Sequence, residues 1–582
     1  MIKELSRSIR EYKAAAILTP IFVSLEVVLE CLIPFVTASL IDMIENNISL
    51  RSILIHGAIL VGMAVLSLVF GALSGAFCAK ASSGFAKNLR KDIYYKIQDF
   101  SFENIDKFST PSLVTRMTTD VNNVQFSFMM IIRIAVRCPL MLVFSLVMAF
   151  VMGGNLGWIF VAVIPPLTVI LLLIMKKAIP LFHRVFKKYD NLNESVQENV
   201  RGMRVVKSFV REDYEKKKFD RASTDVQVDF TKAERLLAWS NPVMQFFFYG
   251  VLTTILFLGS YFIIKQVNPA LYDVGSVSQL IVYGMQILMS LMMFSMVFAM
   301  ITMSVESARR VCEVLDEKSA LHSPENAVTE VSDGSVDFDG VSFKYAAAAE
   351  RNVLDGVDLH IKSGETIGII GGTGSSKTSL VNLISRLYDV TEGVVRVGGR
   401  DVKEYDLTAL RNQVAVVLQK NELFSGTIKE NLRWGNPDAT DEEIKEACVI
   451  SAADEFVSAF PDGYDTYIEQ GGVNVSGGQK QRLCIARALL KKPKILILDD
   501  STSAVDTKTD KTIRAGLKKY APETTKIIIA QRTASVEDAD RIIIMEGGRI
   551  NAVGTHKELL GKNEIYTEVY NTQNKGASDD EE

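Results

Sequence analysis

The sequence predicts two domains, an all-α membrane domain of six spans followed by an α/β domain. The 582-residue chain is too long for a single hydrophobic core. Its mean hydropathy of +0.18 is high for a water-soluble protein, and its apolar residues crowd into the first half. Short β-rich runs alternate with amphipathic helices in the second half. The predicted bounds are 1–315 for the membrane domain, 316–332 for a polar linker, 333–573 for the α/β domain and 574–582 for an acidic tail expected to be disordered.

Charge and cysteine usage exclude several other classes. The formal net charge is only −4, so we expect no nucleic-acid partner. The six cysteines form no C-x-x-C pair and have no matching histidines, which indicates neither a zinc site nor a disulfide framework. The amino terminus is charged and amphipathic, and it does not have the pattern of a cleavable signal peptide.

Six apolar stretches are long enough to cross a bilayer as helices, which takes about 20 residues each. Segments 80–125 and 176–237 carry seven and fifteen Lys and Arg residues, whereas the other connections carry few. Because positively charged loops stay on the cytoplasmic side, both termini and both long loops are predicted to be cytoplasmic. We therefore expect a multi-pass protein of the cell inner (plasma) membrane. The stretches lie near 15–42, 53–79, 128–152, 156–175, 241–264 and 275–303.

Two pairs of charged residues stand out inside these stretches. Glu26 and Glu30 are one helical turn apart in the first stretch, and Arg133 and Arg137 are one turn apart in the third. A charged side chain facing lipid costs at least about 2.5 kcal/mol, so all four are expected to point inward. Two interpretations stay open, ion pairing between helices and a polar path for a transported molecule.

The last stretch carries seven methionines, mostly on one side of a helix. Thioether side chains are flexible and polarisable, so such a surface can adapt to ligands of different shapes. Ordinary packing in the helix bundle explains the same pattern. The seven residues are Met285, Met289, Met292, Met293, Met296, Met300 and Met303.

The segment GGTGSSKTSL, residues 371–380, is close to the phosphate-binding pattern G-x-x-x-x-G-K-[ST], with Ser376 in place of the second glycine. An apolar strand (ETIGII) precedes it and a helical pattern (SLVNLISRLY) follows it. A strand, a Gly-rich turn and a helix amino terminus together form an anion site. Lys377 is expected to reach the β- and γ-phosphates, and the Thr378 hydroxyl to bind Mg²⁺. The candidate nucleotide-binding residues are Gly371, Gly372, Thr373, Gly374, Ser375, Ser376, Lys377, Thr378 and Ser379.

Two more segments support a nucleotide site. KILILDD is a buried strand that ends at Asp499, a carboxylate expected to hold the metal ion through water. NVSGGQKQR places Ser476, Gly477, Gly478 and Gln479 at the start of another helix, a second phosphate-facing amino terminus. One domain binds one nucleotide, so this second terminus lacks a function within its own domain.

These motifs resemble the ATP-binding-cassette (ABC) transporter superfamily over nearly the whole chain. Six spans followed by one cassette resemble a half-transporter of the type IV exporters. The resemblance implies ATP and Mg²⁺ as cofactors and two cassettes that meet head to tail. Each ATP then lies between the phosphate loop of one chain and the SGGQ signature of the other. It further implies that Tyr345 stacks on adenine, that Gln419 is the Q-loop residue and a Mg²⁺ ligand, and that Glu469 and Asp506 belong to the X-loop and D-loop.

Three residues depart from the pattern of an active cassette. Asp500 stands where the family has a Glu that polarises the attacking water, and its shorter side chain places the carboxylate about 1–1.5 Å back. Gln531 replaces the switch histidine, and its amide can hydrogen-bond the γ-phosphate but cannot carry a proton charge as imidazole can. With Ser376, both fall on one ATP site. The pattern resembles the degenerate-site subunit of bacterial heterodimeric multidrug ABC exporters, which binds ATP but hydrolyses it poorly.

The function expected from this resemblance is ATP-driven export of amphipathic drugs or lipids by a heterodimer. Its partners are a second half-transporter, the lipid bilayer and a small amphipathic cargo. On this reading the SGGQ signature completes the catalytic site of the partner, and segments 108–116 and 210–214 press on the cassettes. Alternatives are a homodimer, an exporter of peptides or lipid precursors, and a non-pumping ATP-gated membrane protein.

Overall fold

A computed structural model describes residues 1–45, 49–268, 271–346 and 349–578. The chain forms two compact units. The first comprises Met1–Gln98 and Phe108–Glu317, and the second comprises Asp99–Lys107 and Lys318–Glu582. The first unit is helical throughout its regular structure, and the second combines helices with sheets.

The first 317 residues contain twelve α-helices within the described ranges, most of them long. A π-helical turn at Arg116–Asp120 precedes α6, and a 3₁₀ turn at Gly154–Gly157 joins α7 to α8. In chain order the α-helices are α1 (Ile2–Arg7), α2 (Lys13–Glu45), α3 (Leu50–Gln98), α4 (Phe102–Phe108), α5 (Thr110–Thr115), α6 (Val121–Ile132), α7 (Ile134–Gly153), α8 (Trp158–Arg201), α9 (Met203–Ser208), α10 (Glu212–Ala238), α11 (Ser240–Ile264) and α12 (Val274–Asp316).

Four of the six predicted spans lie within single helices, the third crosses from α6 into α7, and the fourth begins in the 3₁₀ turn before α8. Among the described residues, five uninterrupted helical runs are long and apolar enough to cross a membrane. The number is five because the third and fourth predicted spans are joined through the turn at Gly154–Gly157 into one run, Thr110–Arg201. Helices such as α3 continue well beyond their apolar part. The all-α membrane domain predicted from the sequence is confirmed.

An ion-pair cluster links α2 to α7 inside the spans. The Arg137 guanidinium donates to a carboxylate oxygen of Glu26 at 2.6 Å and to Glu30 at 2.8 Å. Gly71 of α3 gives Glu26 its room, because a Cβ at that glycine would lie 3.0 Å from Glu26 Oε1. The pairing interpretation therefore holds for three of the four residues. The Arg133 guanidinium lies against Gly75 and has no ion-pair partner within the described ranges.

Five of the seven methionines of α12 are exposed in this chain. Met285, Met289, Met292, Met293 and Met296 are 42–62% exposed. Met300 is partly buried, and the side chain of Met303 lies outside what the structure describes. Packing within the chain therefore does not account for the stripe, which leaves an apolar, flexible surface on α12.

The second unit contains three sheets and nine further helices in its described part. The strands are β1 (Val336–Phe343), β2 (Leu354–Ile361), β3 (Thr366–Gly371), β4 (Glu392–Val397), β5 (Arg400–Asp401), β6 (Val414–Val417), β7 (Gly426–Thr427), β8 (Tyr467–Ile468), β9 (Ile495–Asp499), β10 (Thr525–Ile529), β11 (Arg541–Glu546) and β12 (Arg549–Gly554). The helices are α13 (Lys377–Ile384), α14 (Leu407–Gln413), α15 (Ile428–Arg433), α16 (Asp441–Ile450), α17 (Asp454–Val457), α18 (Gly477–Leu490), α19 (Thr507–Tyr520), α20 (His556–Leu559) and α21 (Glu564–Ser578).

The central sheet has six strands in the order β12-β11-β3-β10-β9-β6. All neighbours pair in parallel except β11 and β12. Because β3, β9 and β10 are covered on both faces, they consist of nearly continuous apolar runs, as parallel strands do. Ile367, Ile497 and Ile527 are fully buried in this core. The other sheets are antiparallel, β2-β1-β4-β5 and β7-β8.

The first long loop sends a short segment into the second unit. Within Asp99–Lys107, Asp106 accepts a hydrogen bond from the Tyr388 hydroxyl at 2.7 Å, and the Phe102 ring lies 6.1 Å from the Tyr388 ring. The segment that the resemblance implies presses on the cassettes, 108–116, follows directly along the chain, and that role stays a prediction. Those residues belong to the first unit, where Arg116 donates to the Arg310 carbonyl at 2.9 Å.

The last helix runs five residues into the stretch predicted as an acidic tail, because α21 ends at Ser578. Residues 579–582 lie outside the described part of the chain.

Replacing Arg137 by Met should destabilise the membrane unit, because Glu26 and Glu30 would face each other without a counterion. Breaking a buried ion pair in this way costs about 3 kcal/mol. The apparent melting temperature of the purified protein in detergent measures the effect. Arg133→Met is the matched control, one turn away and without an ion-pair partner among the described residues. An equal drop in both variants would contradict the stabilising role of the cluster.

Candidate nucleotide-binding site

The candidate site lies where the parallel strands of the central sheet end. β3, β10, β9 and β6 are consecutive neighbours, so their carboxyl ends reach the same edge. In α/β sheets this edge is where ligands bind. The segments that follow carry the phosphate loop after β3, Gln531 after β10, Asp499 and Asp500 at β9, and Gln419 after β6. Sheet topology thus gathers residues that are far apart in sequence.

The phosphate loop closes around the Lys377 ammonium group. Lys377 Nζ donates to the carbonyl oxygens of Gly371 at 2.8 Å and Gly372 at 2.9 Å, and to the Ser375 hydroxyl at 3.1 Å. Burial lowers the pKa of Lys377, and the nearby Asp499 and Asp500 carboxylates oppose that shift. The three hydrogen bonds hold the ammonium group at the mouth of the loop, beside the amino terminus of α13. This is the placement expected for a group that binds phosphate.

Ser376 adopts a backbone conformation that favours glycine. Its φ of +72° and ψ of +22° lie in the left-handed region, where an L-residue with a Cβ is strained by roughly 1–2 kcal/mol. Gly374 has a φ of +81° two residues earlier and carries no such penalty. The loop thus keeps the turn expected at the position where the pattern has glycine, at a cost in strain.

Thr378 and Asp499 form the candidate metal-binding pair. The Thr378 hydroxyl donates to Asp499 Oδ2 at 2.8 Å, and Asp499 is almost fully buried. Burial raises the pKa of Asp499, whereas the hydrogen bond from Thr378 lowers it. Hydroxyl, carboxylate and amide oxygens are the ligands that Mg²⁺ prefers. Together with the nearby Gln419, these groups fit a Mg²⁺ ion. Such an ion would neutralise the phosphates of a bound nucleotide.

The Asp500 carboxylate accepts from two side-chain amides. Gln531 Nε2 donates to Asp500 Oδ2 at 2.8 Å, and Gln419 Nε2 lies 3.5 Å from the same oxygen. Burial raises the pKa of Asp500, and the two amides oppose this. The structure therefore brings two of the three departures from the active pattern into direct contact. The amides hold this short carboxylate, and neither can accept a proton.

The candidate adenine contact, Tyr345, is 41% exposed. Its hydroxyl lies 2.8 Å from the Ser379 hydroxyl, which ties it to the phosphate-loop helix. The rings of Phe343 and Tyr388 pack edge-on against it, with centroids 4.9 and 5.1 Å away. These contacts fix the ring while part of its surface stays open for stacking.

The SGGQ segment begins α18 with a capping box. The Ser476 hydroxyl accepts from the Gln479 backbone N–H at 3.3 Å, and Gln479 Oε1 accepts from the Ser476 N–H at 2.8 Å. A Cβ at Gly478 would lie 2.8 Å from the Ala504 carbonyl, so this glycine permits close contact with the following loop. A Cβ at Gly477 would meet only the Ala504 side chain, at 3.5 Å.

Gln481 joins this helix to the loop that ends at Asp506. Its amide donates to the Ser503 hydroxyl at 3.2 Å and accepts from the Ala504 N–H at 3.0 Å. The sequence did not indicate this residue, because a glutamine on a helix has no pattern of its own. Asp506, predicted as the D-loop residue, caps α19 by accepting from the Thr509 N–H at 2.9 Å. The backbone N–H of the predicted X-loop residue Glu469 donates to Asn474 Oδ1 at 3.0 Å.

Two family models match the chain. The model of the ABC transporter transmembrane region matches residues 16–305, and the ABC transporter model matches residues 354–503. An uncharacterized ABC transporter ATP-binding protein of Bacillus subtilis, YfiB, is 35% identical over 565 residues, 97% of each chain. This chain is an ABC transporter. It has the layout of a type IV exporter half-transporter, a helical membrane domain followed by one cassette, as the sequence predicted.

Other relatives of this ABC transporter agree. A Mycobacterium bovis protein named as a fatty acid ABC transporter ATP-binding/permease protein is 32% identical over 481 residues, 83% of this chain and 75% of that one. A solved structure of a bacterial Atm1-family ABC exporter with ATP bound superposes with a TM-score of 0.82, covering 97% of this chain and 98% of the other. That exporter is 22% identical, so it shows the fold. The ABC transporter thus has an ATP-binding cassette coupled to a multi-pass membrane domain.

Ser376→Gly should stabilise the cassette by about 1 kcal/mol, because glycine removes the left-handed strain. The thermal unfolding midpoint of the purified protein measures this. Gly374→Ser is the matched control and should lower the midpoint. A Cβ at that glycine meets nothing within 4 Å, so the serine adds only backbone strain. A lower midpoint for Ser376→Gly would show that the loop does not hold residue 376 in this conformation.

Proposed function

We propose that this chain is one subunit of a heterodimeric ABC exporter that moves amphipathic drugs or lipids out across the membrane. Its own phosphate loop binds ATP and Mg²⁺ but supports little hydrolysis. Its SGGQ signature completes the catalytic site on the partner's phosphate loop. Both termini and the cassette are cytoplasmic. The observation that carries the proposal is the Asp500 carboxylate, held by the Gln531 and Gln419 amides at the position of the water-activating group.

Binding and hydrolysis have different requirements at this site. Phosphate binding needs the loop, Lys377 and the metal-binding pair. All of these are present, with Lys377 bonded to the loop and Thr378 bonded to Asp499. Hydrolysis also needs a carboxylate that reaches the attacking water. Asp500 is one methylene short and is turned toward two amides, so it is poorly placed for that step. A site of this kind retains ATP and cleaves it slowly.

The SGGQ signature supports a composite site with a partner. Ser476 and Gly477 are exposed at the amino terminus of α18, where free N–H groups and the helix dipole favour phosphate. Nothing in the capping box departs from the active pattern. The signature is therefore suited to a nucleotide that another chain holds.

Exposed apolar groups in each unit support the dimer. In the first unit, Phe209, Val210 and Tyr214 at the tip of the second long loop are 62–80% exposed. On the cassette, a cleft of about 280 Å³ is lined in part by the stacked rings of Phe424 and Trp434, whose centroids are 4.1 Å apart. We propose that the partner's second-loop tip occupies this cleft, and that this chain's tip occupies the partner's cleft. Each chain would then transmit cassette closure to the spans of the other.

The cargo assignment depends on α12 and on one relative. The exposed methionine stripe offers a flexible apolar wall to a ligand with an apolar portion. The relative named for fatty acids is consistent with a lipid-like cargo. An amphipathic molecule fits both observations.

Asp500→Glu in the co-purified pair should raise ATP hydrolysis at this site by about 10- to 100-fold, because the longer side chain reaches the water. The measurement is steady-state ATPase in a pair whose partner site has lost its own catalytic carboxylate. Asp500→Asn, tested with the partner site intact, is the matched control and should leave total ATPase nearly unchanged.

Two results would overturn this division of roles. One is a larger loss from Asp500→Asn than from removal of the partner's carboxylate. The other is brisk ATPase and ATP-dependent dye uptake into inside-out vesicles by this chain alone. The uptake assay, run with and without the partner, also separates an exporter from a membrane protein that binds ATP without pumping.

Gly477→Asp should abolish hydrolysis by the pair, with a loss of about 100-fold or more, because the added carboxylate would repel the phosphates of the partner's nucleotide at this helix amino terminus. The site tolerates a Cβ, so the cassette should still fold. Binding of labelled ATP to the isolated chain should persist at wild-type affinity. Retained ATPase in the variant pair would show that this signature does not complete the active site.

A further inference from the structure

The carboxy-terminal helix α21 is hydrogen-bonded to the segment that carries the switch residue. Gln573 Nε2 donates to the Gln531 carbonyl at 2.8 Å. Gln573 Oε1 accepts from the Thr533 backbone N–H at 2.9 Å and from the Thr533 hydroxyl at 3.0 Å. One side-chain amide therefore spans both sides of the turn at Gln531–Thr533. Neither the family pattern nor the sequence assigned a role to this residue.

The register of α21 is set by a buried tyrosine on the same face. Tyr566 is fully buried, and its hydroxyl lies 2.7 Å from His556 Nδ1. Gln573 follows seven residues later, which is about two helical turns, so both side chains share one face of the helix. The Tyr570 ring, between them on this face, packs against His556 at 5.3 Å. The position of Gln573 is thus fixed by the cassette core and not by the end of the chain.

The backbone that Gln573 holds determines where the Gln531 side chain points. That side chain donates to Asp500 at 2.8 Å, at the edge of the sheet where the nucleotide phosphates are expected. A continuous chain of hydrogen bonds therefore runs from α21 through the switch residue to the Asp500 carboxylate. Loss of the hydrogen bonds made by Gln573 would free the Gln531 backbone. The conformation in which the Gln531 amide points toward the phosphates would then be less populated.

We propose that Gln573 is a positioning residue that aims the Gln531 amide at the γ-phosphate, which makes α21 part of the nucleotide site. This inference rests on the proposed function, because it requires ATP to bind at this chain's own phosphate loop. The simpler alternative is that Gln573 only caps the turn and stabilises the cassette. The two differ in one property. ADP has no γ-phosphate, so aiming the switch affects ATP binding alone.

The test compares the affinities of Mg²⁺-ATP and Mg²⁺-ADP, as fluorescent analogues, for the purified full-length chain. Gln573→Ala should weaken ATP binding about three- to tenfold, the range for one or two lost hydrogen bonds, and leave ADP binding unchanged. Asn571→Ala is the matched control, an exposed amide on the same helix without a hydrogen-bond partner among the described residues. It should change neither affinity.

A double-mutant cycle completes the test. In a Gln531→Ala background the aimed amide is absent, so Gln573→Ala should cause no further loss of ATP affinity. An equal loss of ATP and ADP affinity, no loss at all, or the same loss in the Gln531→Ala background would overturn the inference and leave the proposed function intact. If the wild-type chain bound neither nucleotide, both the inference and the proposed function would be refuted.

Discussion

The candidate nucleotide site depends on one constraint, the parallel pairing of β3, β10, β9 and β6. Because neighbouring parallel strands end at the same edge, four segments spread along the cassette sequence are brought within hydrogen-bond distance. The bond from Thr378 to Asp499 joins the β3 and β9 segments, and the bond from Gln531 to Asp500 joins those of β10 and β9. Without this order of strands, the motifs would be isolated turns and no site would exist.

Within that edge, the side chains proposed for binding ATP and those at the proposed position of cleavage form two separate sets. Lys377, Thr378 and Asp499 form one connected set around the loop, and each keeps the residue type of an active cassette. Asp500 and Gln531 form the other set, and both differ from the residue types of an active cassette. Their direct contact explains how the substitutions are compatible, because an amide donates well to a carboxylate and satisfies it in a partly buried place.

The membrane unit has its own constraint, since a bilayer offers no water to charged groups. The structure meets it by placing one guanidinium between two carboxylates of a neighbouring helix. By contrast, five methionines of α12 and the apolar residues Phe209 and Val210 at the tip of the second long loop are exposed. Their exposure in a single chain is what a dimer with a shared transport path would use.

Much of this molecule could be predicted from the sequence, for identifiable reasons. The six apolar stretches follow from bilayer thickness, and the phosphate loop, the strand ending at Asp499 and the SGGQ helix start are local patterns of strand, turn and helix. These features depend on residues within about 20 positions of each other. The same local character allowed Ser376, Asp500 and Gln531 to be recognised as departures before any geometry was known.

Other features were decided only by the tertiary structure. Several contacts join segments that are distant in the sequence. Arg137 and not Arg133 pairs with Glu26, Tyr388 donates to Asp106, Gln531 donates to Asp500, and Gln573 donates to the Gln531 carbonyl. Such contacts leave no period or spacing in the sequence, because each requires only a polar side chain at one position on each element. Strand order and helix packing decide which of the possible partners come into contact. Both are properties of the folded chain as a whole.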